Sequence, residues 1–161
     1  MEGFVSTQKR KEEHAVINIC SGTTFSIVRN YLQYGRVAVL NFANPVIPGG
    51  GVGNGAMAQE ECLCRSSNLF ACINDPNIFE DYYGYHRRLK SRFYSDCLIY
   101  TKDVTVFKDD SIVPQMMPEA EWFAVDVITC AAPYLAKRKY TNTAALLALL
   151  KKRVKNIFEA A

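Results

Sequence analysis

The 161-residue chain carries 19 Lys+Arg against 16 Asp+Glu, a formal net charge of +3, with 49% hydrophobic and 22% charged residues. That describes one globular domain able to bury a core without disulfide or metal staples, and it excludes a disordered tail. The charge is too small and too diffuse to suggest direct DNA binding: the clusters at Arg87, Arg88, Lys90 and Arg92 and at Lys151, Lys152, Arg153 and Lys155 read as solvated helix faces. No apolar run approaches the ~20 residues of a membrane-spanning helix, so no membrane association is expected. Lys9 to Glu13 interrupts the N-terminus before a secretory apolar region can form, and a cytoplasmic location is the expectation.

Residues 1–14 are polar and read as a peripheral segment, leaving 15–161 as the domain. Ala15 to Ile19 reads as a short strand. Ser21-Gly22-Thr23-Thr24 is a turn that caps a helix over Phe25 to Tyr34. Val37 to Phe42 is a continuous apolar run with β-branched residues between Gly35 and Asn44-Pro45, the pattern of a strand covered on both faces. A glycine-dense loop, Pro48 to Gly55, passes into a helix from Ala56 that ends before Asn74-Asp75-Pro76. The aromatic stretch Phe79 to Phe93 reads as a helical or irregular excursion whose rings pack or line a pocket, packing being the favoured reading. Leu98 to Thr101 and Asp103 to Phe107 read as two strands, followed by a turn at Lys108-Asp109-Asp110 and a proline-bearing loop to Pro118. Phe123 to Thr129 is another covered strand. Asn142 to Glu159 is an amphipathic helix with Leu146, Leu150, Val154 and Ile157 on one side. The succession is that of one α/β layer domain.

The cysteines at 20, 62, 64, 72, 97 and 130 lie mostly in apolar neighbourhoods and read as reduced, buried small hydrophobes. There is no C-x-x-C, and Cys62-x-Cys64 lacks a second pair, so no metal and no cofactor is expected. His14 and His86 stand far apart, and nothing local supports a Cys–His nucleophile.

The chemistry concentrates between Asn41 and Arg65. A glycine-rich loop between the carboxyl end of a covered strand and a helix N-terminus is where open α/β sheets bind ligands. Consecutive glycines let the backbone approach a phosphate or ribose and point N–H groups at it. The segment lacks the Lys-Ser/Thr of a P-loop and the spacing of a dinucleotide fingerprint. Glu60 and Glu61 would repel a bound polyanion unless they serve another part of the ligand, such as a sugar. Adjacent helix residues diverge by about 100°, so the two cannot flank one bond, and their roles divide. Two bland readings stand beside this one: a tight turn without a ligand, and first-turn glutamates favoured by the helix dipole.

Leu40-Asn41-Phe42-Ala43-Asn44-Pro45, then Pro48-Gly49-Gly50-Gly51, then Gly55-Ala56-Met57-Ala58-Gln59-Glu60-Glu61-Cys62-Leu63-Cys64-Arg65, resembles the bacterial-type poly(ADP-ribose) glycohydrolase family, a branch of the macrodomain superfamily. Its signature is Gly-Gly-Gly, six to eight residues, then Gln-Glu-Glu; here the gap is seven, Val52 to Ala58. Val127 to Pro133 also looks like the family's later strand and the loop after it, and the likeness spans roughly residues 15 to 160.

The resemblance implies a three-layer α/β/α macrodomain-like fold with a mixed sheet. It implies Glu61 as the catalytic residue, with Glu60 and Asn44 holding the ribose beside the scissile bond. Gly49, Gly50 and Gly51 would line the ligand near the diphosphate and ribose, and Gln59 would brace the catalytic loop. Family members continue past the last helix into a further strand and a Gly-rich diphosphate loop. This chain stops at Glu159-Ala160-Ala161, so the expectation is a fold incomplete at its C-terminus. An exposed sheet edge would then be available for self-association.

The implied reaction is hydrolysis of the ribose–ribose O-glycosidic bond of poly(ADP-ribose), releasing ADP-ribose, with Glu61 as general acid and then base. Such duty calls for a carboxyl whose pKa is raised by burial and neighbouring negative charge. The ligand would be ADP-ribose or its polymer, including polymer on modified proteins. The alternatives are an ADP-ribose-binding module without catalysis and a degenerate structural member of the family.

Overall fold

The computed structural model describes residues 15–89, 91, 93–135 and 143–161; the expected peripheral segment 1–14 lies outside them, as do Lys90, Arg92 and Asn142. Three strands, β1 (Ala38–Phe42), β2 (Ile99–Val106) and β3 (Phe123–Cys130), form a mixed sheet in the order β1-β3-β2. β1 runs parallel to β3 and β2 antiparallel to it.

The two strands expected at 98–101 and 103–107 are one strand with a bulge: the register slips between Thr101 and Val104, and Asp103 adopts φ 53°. Asp126 of β3 holds this bulge, accepting the Asp103 N–H at 3.0 Å. Arg36 grips both Asp126 oxygens at 2.7 and 2.8 Å, and the Tyr100 hydroxyl donates at 2.7 Å. Burial alone would raise the Asp126 pKa; the Arg36 guanidinium and these donors outweigh it and hold the carboxyl at about 2.

Short helices cover one face of the sheet. α1 (Thr24–Val28), α2 (Gln59–Ser66) and α3 (Leu69–Ile73) contribute Phe25, Val28, Leu63, Leu69 and Ile73 to a core that includes Val39, Val104, Val106, Val125 and Val127 of the strands. The helix expected over Phe25 to Tyr34 ends at Val28, because Asn30 and Tyr31 bond back three residues, to the Ile27 and Val28 carbonyls, and Leu32–Tyr34 continues as a 3-10 turn. The helix expected from Ala56 begins at Gln59 and breaks at Ser67–Asn68. There the Asn68 Oδ1 accepts from the Thr105 N–H at 2.9 Å, and the Asn68 N–H donates to the Thr105 carbonyl at 3.1 Å. The α2–α3 junction thereby closes part of the outer edge of β2.

Three further expectations give way. Ala15 to Ile19 forms no strand; Val16, Ile17 and Ile19 are exposed, because β propensity does not make a strand without a neighbour to pair. β1 is covered on one face only: Val39 and Asn41 are buried, while Ala38 and Phe42 face outward. Cys64 and Cys130 are buried, but Cys20 and Cys97 are exposed.

The aromatic stretch is helical: α4 (Pro76–Ile78), a π-helical turn (Phe79–Gly84) and α5 (Tyr85–Arg88). Asp75 caps it by accepting the Asn77 N–H at 2.9 Å, with Pro76 at the first helical position. Tyr82 and Tyr83 are buried with Ile99, so these rings pack. α6 (Thr143–Ala160) departs from its predicted stripe, since Val154 is exposed and Arg153 is buried instead. The Arg153 guanidinium donates to the carbonyls of Ala131, at 2.6 Å, and Phe93, and pairs with Asp96 at 3.4 Å. Arg153 therefore docks the helix and does not belong to a solvated face. No helix among the described residues is long and apolar enough to cross a membrane.

Candidate active site

Near the carboxyl end of the parallel pair β1 and β3, Asn41 lies opposite Thr129. The pleat aims both inward, on the side of Val39 and Val127. The Asn41 amide donates to Thr129 Oγ1 at 3.2 Å and to Glu60 Oε1 at 3.3 Å. Beyond Phe42 the chain turns at Asn44, whose Oδ1 accepts the N–H groups of Val46 and Ile47, each at 2.9 Å. The Asn44 N–H donates to Glu60 Oε2 at 2.7 Å, which ties this turn to the start of α2.

The glycine loop wraps the two carboxylates. Gly49 and Gly50 adopt φ 65° and 56°, a left-handed conformation open to glycine. A Cβ on Gly50 would lie 2.3 Å from Glu61 Oε1 and 3.1 Å from Glu60 Oε2, so the absent side chain is what lets the loop close. The loop's N–H groups turn inward: Gly51 donates to Glu61 Oε1 at 2.7 Å and Gly50 to the Ile47 carbonyl at 3.0 Å. The expectation that they aim at a phosphate is corrected to this extent. The glutamates at the head of α2 compete for the same donors, and Glu61 takes that of Gly51.

Glu60 and Glu61 are both buried, and their oxygens fare differently. Each oxygen of Glu60 accepts from the protein, whereas Oε2 of Glu61 is buried with no hydrogen-bond partner. Burial pushes the Glu60 pKa above the usual carboxylate range, and the charge of Glu61 adds to the rise, against the Asn44 N–H and the Asn41 amide. Among the described residues neither glutamate has a Lys or Arg partner.

Gln59 stands outside the carboxylate pair and completes the strand edge. Its Oε1 accepts the Phe42 N–H at 2.9 Å, and its Nε2 donates to the Leu40 carbonyl at 2.7 Å. A side-chain amide thus does what a neighbouring strand's peptide group would do.

Of the predicted site residues, Asn44, Gly50, Gly51, Glu60 and Glu61 are joined by hydrogen bonds or close contact. Gly49 packs against Phe70 and Cys64, where a Cβ would lie 2.7 Å from the ring. Sequence reasoning assigned no role to Asn41, Thr129, Cys64 or Tyr83. A polar Asn41 at an inward position of an apolar strand was the available signal. Cys64 lies near both glutamates, and burial first, then their charges, raises its thiol pKa to about 12. The Tyr83 hydroxyl is buried without a partner; burial, then the charge of Glu60, raises its pKa.

Beside Asn44, past the carboxyl ends of β1 and β3, a cavity of ≈ 270 Å³ opens between Phe42, Ala43 and Pro45 on one side and Tyr94, Pro133 and Tyr134 on the other. Neither glutamate lines it. Among the described residues no group of three His, Cys, Asp or Glu side chains could hold a metal ion.

A mixed sheet with helices on it and a glycine loop closed over the head of α2 makes this an α/β protein, the class that the macrodomain-like resemblance implies. The family model for the microbial-type PARG (poly(ADP-ribose) glycohydrolase) catalytic domain matches residues 3–109, and the chain belongs to that family. The poly(ADP-ribose) glycohydrolase of Deinococcus radiodurans, solved in complex with ADP-ribose, is 35% identical with a TM-score of 0.73, over 84% of this chain and 53% of that one. The Thermomonospora curvata enzyme bound to the inhibitor ADP-HPD is 34% identical with a TM-score of 0.77, over 86% and 51%. The chain therefore spans about half the length of the solved structures it matches. No curated protein matches it.

Proposed function

We propose that this chain binds ADP-ribose units and hydrolyses the ribose–ribose O-glycosidic bond of poly(ADP-ribose), with Glu61 as general acid and base. The observation that carries this reading is the lone oxygen of Glu61. Its Oε1 is anchored by the Gly51 N–H, and its Oε2 is buried and unpartnered. A buried carboxyl oxygen without a partner is costly in a purely structural role, and a ligand hydroxyl or leaving oxygen would satisfy it.

In the proposed reaction the protonated Glu61 gives its proton to the departing 2′-oxygen as the bond from that oxygen to the anomeric carbon breaks. The carbon passes through an oxocarbenium-like state. Water then adds its oxygen to that carbon and returns a proton to the Glu61 carboxylate, so the enzyme ends as it began. Glu60, with both oxygens engaged, holds the Asn44 turn in place and does not transfer the proton. The Oδ1 of Asn44 is committed to its turn, while its Nδ2 has no partner among the described residues and is available to a ribose hydroxyl. No side chain at Gly50 or Gly51 stands between the turn and Glu61. Both relatives are named as poly(ADP-ribose) glycohydrolases, and one holds ADP-ribose. The same ligand on polymer-modified proteins, and self-association through an exposed sheet edge, belong to this proposal.

Incubation with poly(ADP-ribose), read by release of ADP-ribose, together with calorimetric titration of ADP-ribose, tests it. Release by the unsubstituted chain, abolished by Glu61→Gln with binding retained, is the expected result. Binding without release identifies a non-catalytic reader, and neither binding nor release identifies a structural member.

A further inference from the structure

His86 has no place in the candidate site described above, yet it is nearly absent from the surface at 1% exposure. The π-helical turn sets it one turn beyond Tyr82 and Tyr83, and its ring meets that of Tyr82 edge to face at 4.4 Å between centroids. Its two nitrogens have unambiguous partners. Nδ1 lies 3.1 Å from the Pro45 carbonyl, which can only accept. Nε2 lies 3.3 Å from the Ser95 N–H, which can only donate, and 2.6 Å from the Ser95 hydroxyl. One obligate acceptor and one obligate donor leave a single arrangement: a neutral ring with its hydrogen on Nδ1.

We propose that His86 is a positioning residue for the Asn44 turn, its Nδ1–H holding the Pro45 carbonyl so that Asn44 keeps its place against Glu60. Pro45 directly follows Asn44, the residue whose N–H reaches Glu60 and whose Oδ1 shapes the turn. The next residue of the same helix adds a second hold, for Arg87 Nε donates to the Val46 carbonyl at 2.9 Å while its guanidinium lies over the Phe79 ring at 4.7 Å. The aromatic excursion is therefore the outer clamp of the turn. Ser95 is the backstop that keeps the imidazole in the tautomer the clamp needs. The consequence for ligand binding rests on the reading of Asn44 as a ribose contact; the consequence for the turn does not.

Three variants separate the possibilities: His86→Phe removes both bonds and keeps a ring, His86→Asn restores a donor near Nδ1, and Ser95→Ala removes only the hydroxyl. Amide hydrogen exchange is read at Asn44, Val46 and Ile47, with Val125 and Val127 as core references. His86→Phe is expected to speed exchange at the three turn amides by about tenfold and to weaken ADP-ribose binding by a similar factor, as loss of one buried hydrogen bond does. His86→Asn should stay within about threefold of the unsubstituted protein on both readouts, and Ser95→Ala likewise because the Ser95 N–H remains. Unchanged turn amides, acceleration spread equally to Val125 and Val127, or His86→Asn behaving like His86→Phe overturns the proposal. Should His86→Phe fail to fold, the nitrogen resonances of His86 in the unsubstituted chain decide: a hydrogen on Nε2 overturns it. If the exchange pattern holds while the unsubstituted chain binds no ADP-ribose, the clamp stands and the proposed function fails.

Discussion

Two buried carboxylate centres lie at opposite ends of the β1–β3 pair, and the sheet treats them differently. At the amino end, beside Ala38, Asp126 is surrounded by donors and a cation: Arg36, the Tyr100 hydroxyl and the Asp103 N–H. Its pKa is held down at about 2, so it is charged at neutral pH, and its task is to fix the bulge of β2. At the carboxyl end, Glu60 and Glu61 sit under the glycine turn without a cation among the described residues; Glu60 is pushed toward neutrality by burial, and one oxygen of Glu61 is left bare. A buried charge that is fully satisfied holds structure together. A buried carboxyl that is incompletely satisfied is poised to interact with something that arrives.

The sharpest way to break this contrast is Glu61→Gln. Turnover should fall by about 10²–10⁴-fold, the range of a lost general acid–base, while the thermal midpoint and ADP-ribose affinity change little. A large loss of stability instead would place Glu61 in the same structural class as Asp126. Next is Gly50→Ala, whose Cβ would lie 2.3 Å from Glu61 Oε1 in a backbone with φ 56°. The expected cost is about 1–3 kcal/mol in denaturant unfolding, accompanied by weakened ADP-ribose binding.

At the other end, Asp126→Asn should cost about 2 kcal/mol, following from a carboxyl held at about 2 against an ordinary 3.8, and leave ADP-ribose affinity alone. The sign is set by linkage. A depressed folded-state pKa contributes stability that is fully present above the unfolded value and is lost as pH falls through the folded one. Urea midpoints of the unsubstituted protein should therefore drop between about pH 4 and 2 by more than those of Asp126→Asn. An equal drop in both would remove Asp126 as the cause. The smallest effect expected is that of Gln59→Leu, which strips two hydrogen bonds from the β1 edge for about 1–2 kcal/mol. Faster amide exchange at Phe42 with the core unchanged is its signature.

Much of this was legible in one dimension because it rests on local chemistry. The apolar runs that became β1 and β3, the boundary at Asn74-Asp75-Pro76, and the glycine loop leading to Gln59-Glu60-Glu61 all declare themselves by residue type and spacing. Three of the failures share a cause in contacts distant along the chain. The helix from Ala56 breaks because Asn68 is recruited by Thr105, 37 residues away. The two strands after Leu98 merge because Asp126 grips the intervening bulge. Val154 was placed on the buried side of α6, yet Arg153 took that position because carbonyls of Ala131 and Phe93 were there to receive it.

Residue types and their order were enough to determine the α/β class, the family signature and the pair of glutamates, since these depend on backbone freedom, hydrophobic period and side-chain chemistry within short segments. Which glutamate keeps an unpartnered oxygen, which direction the glycine N–H groups face and how His86 comes to hold Pro45 were decided only when β1, α2 and the aromatic helix came together. Hydrogen-bond donors and acceptors are satisfied by neighbours in space, and the chain order does not name those neighbours.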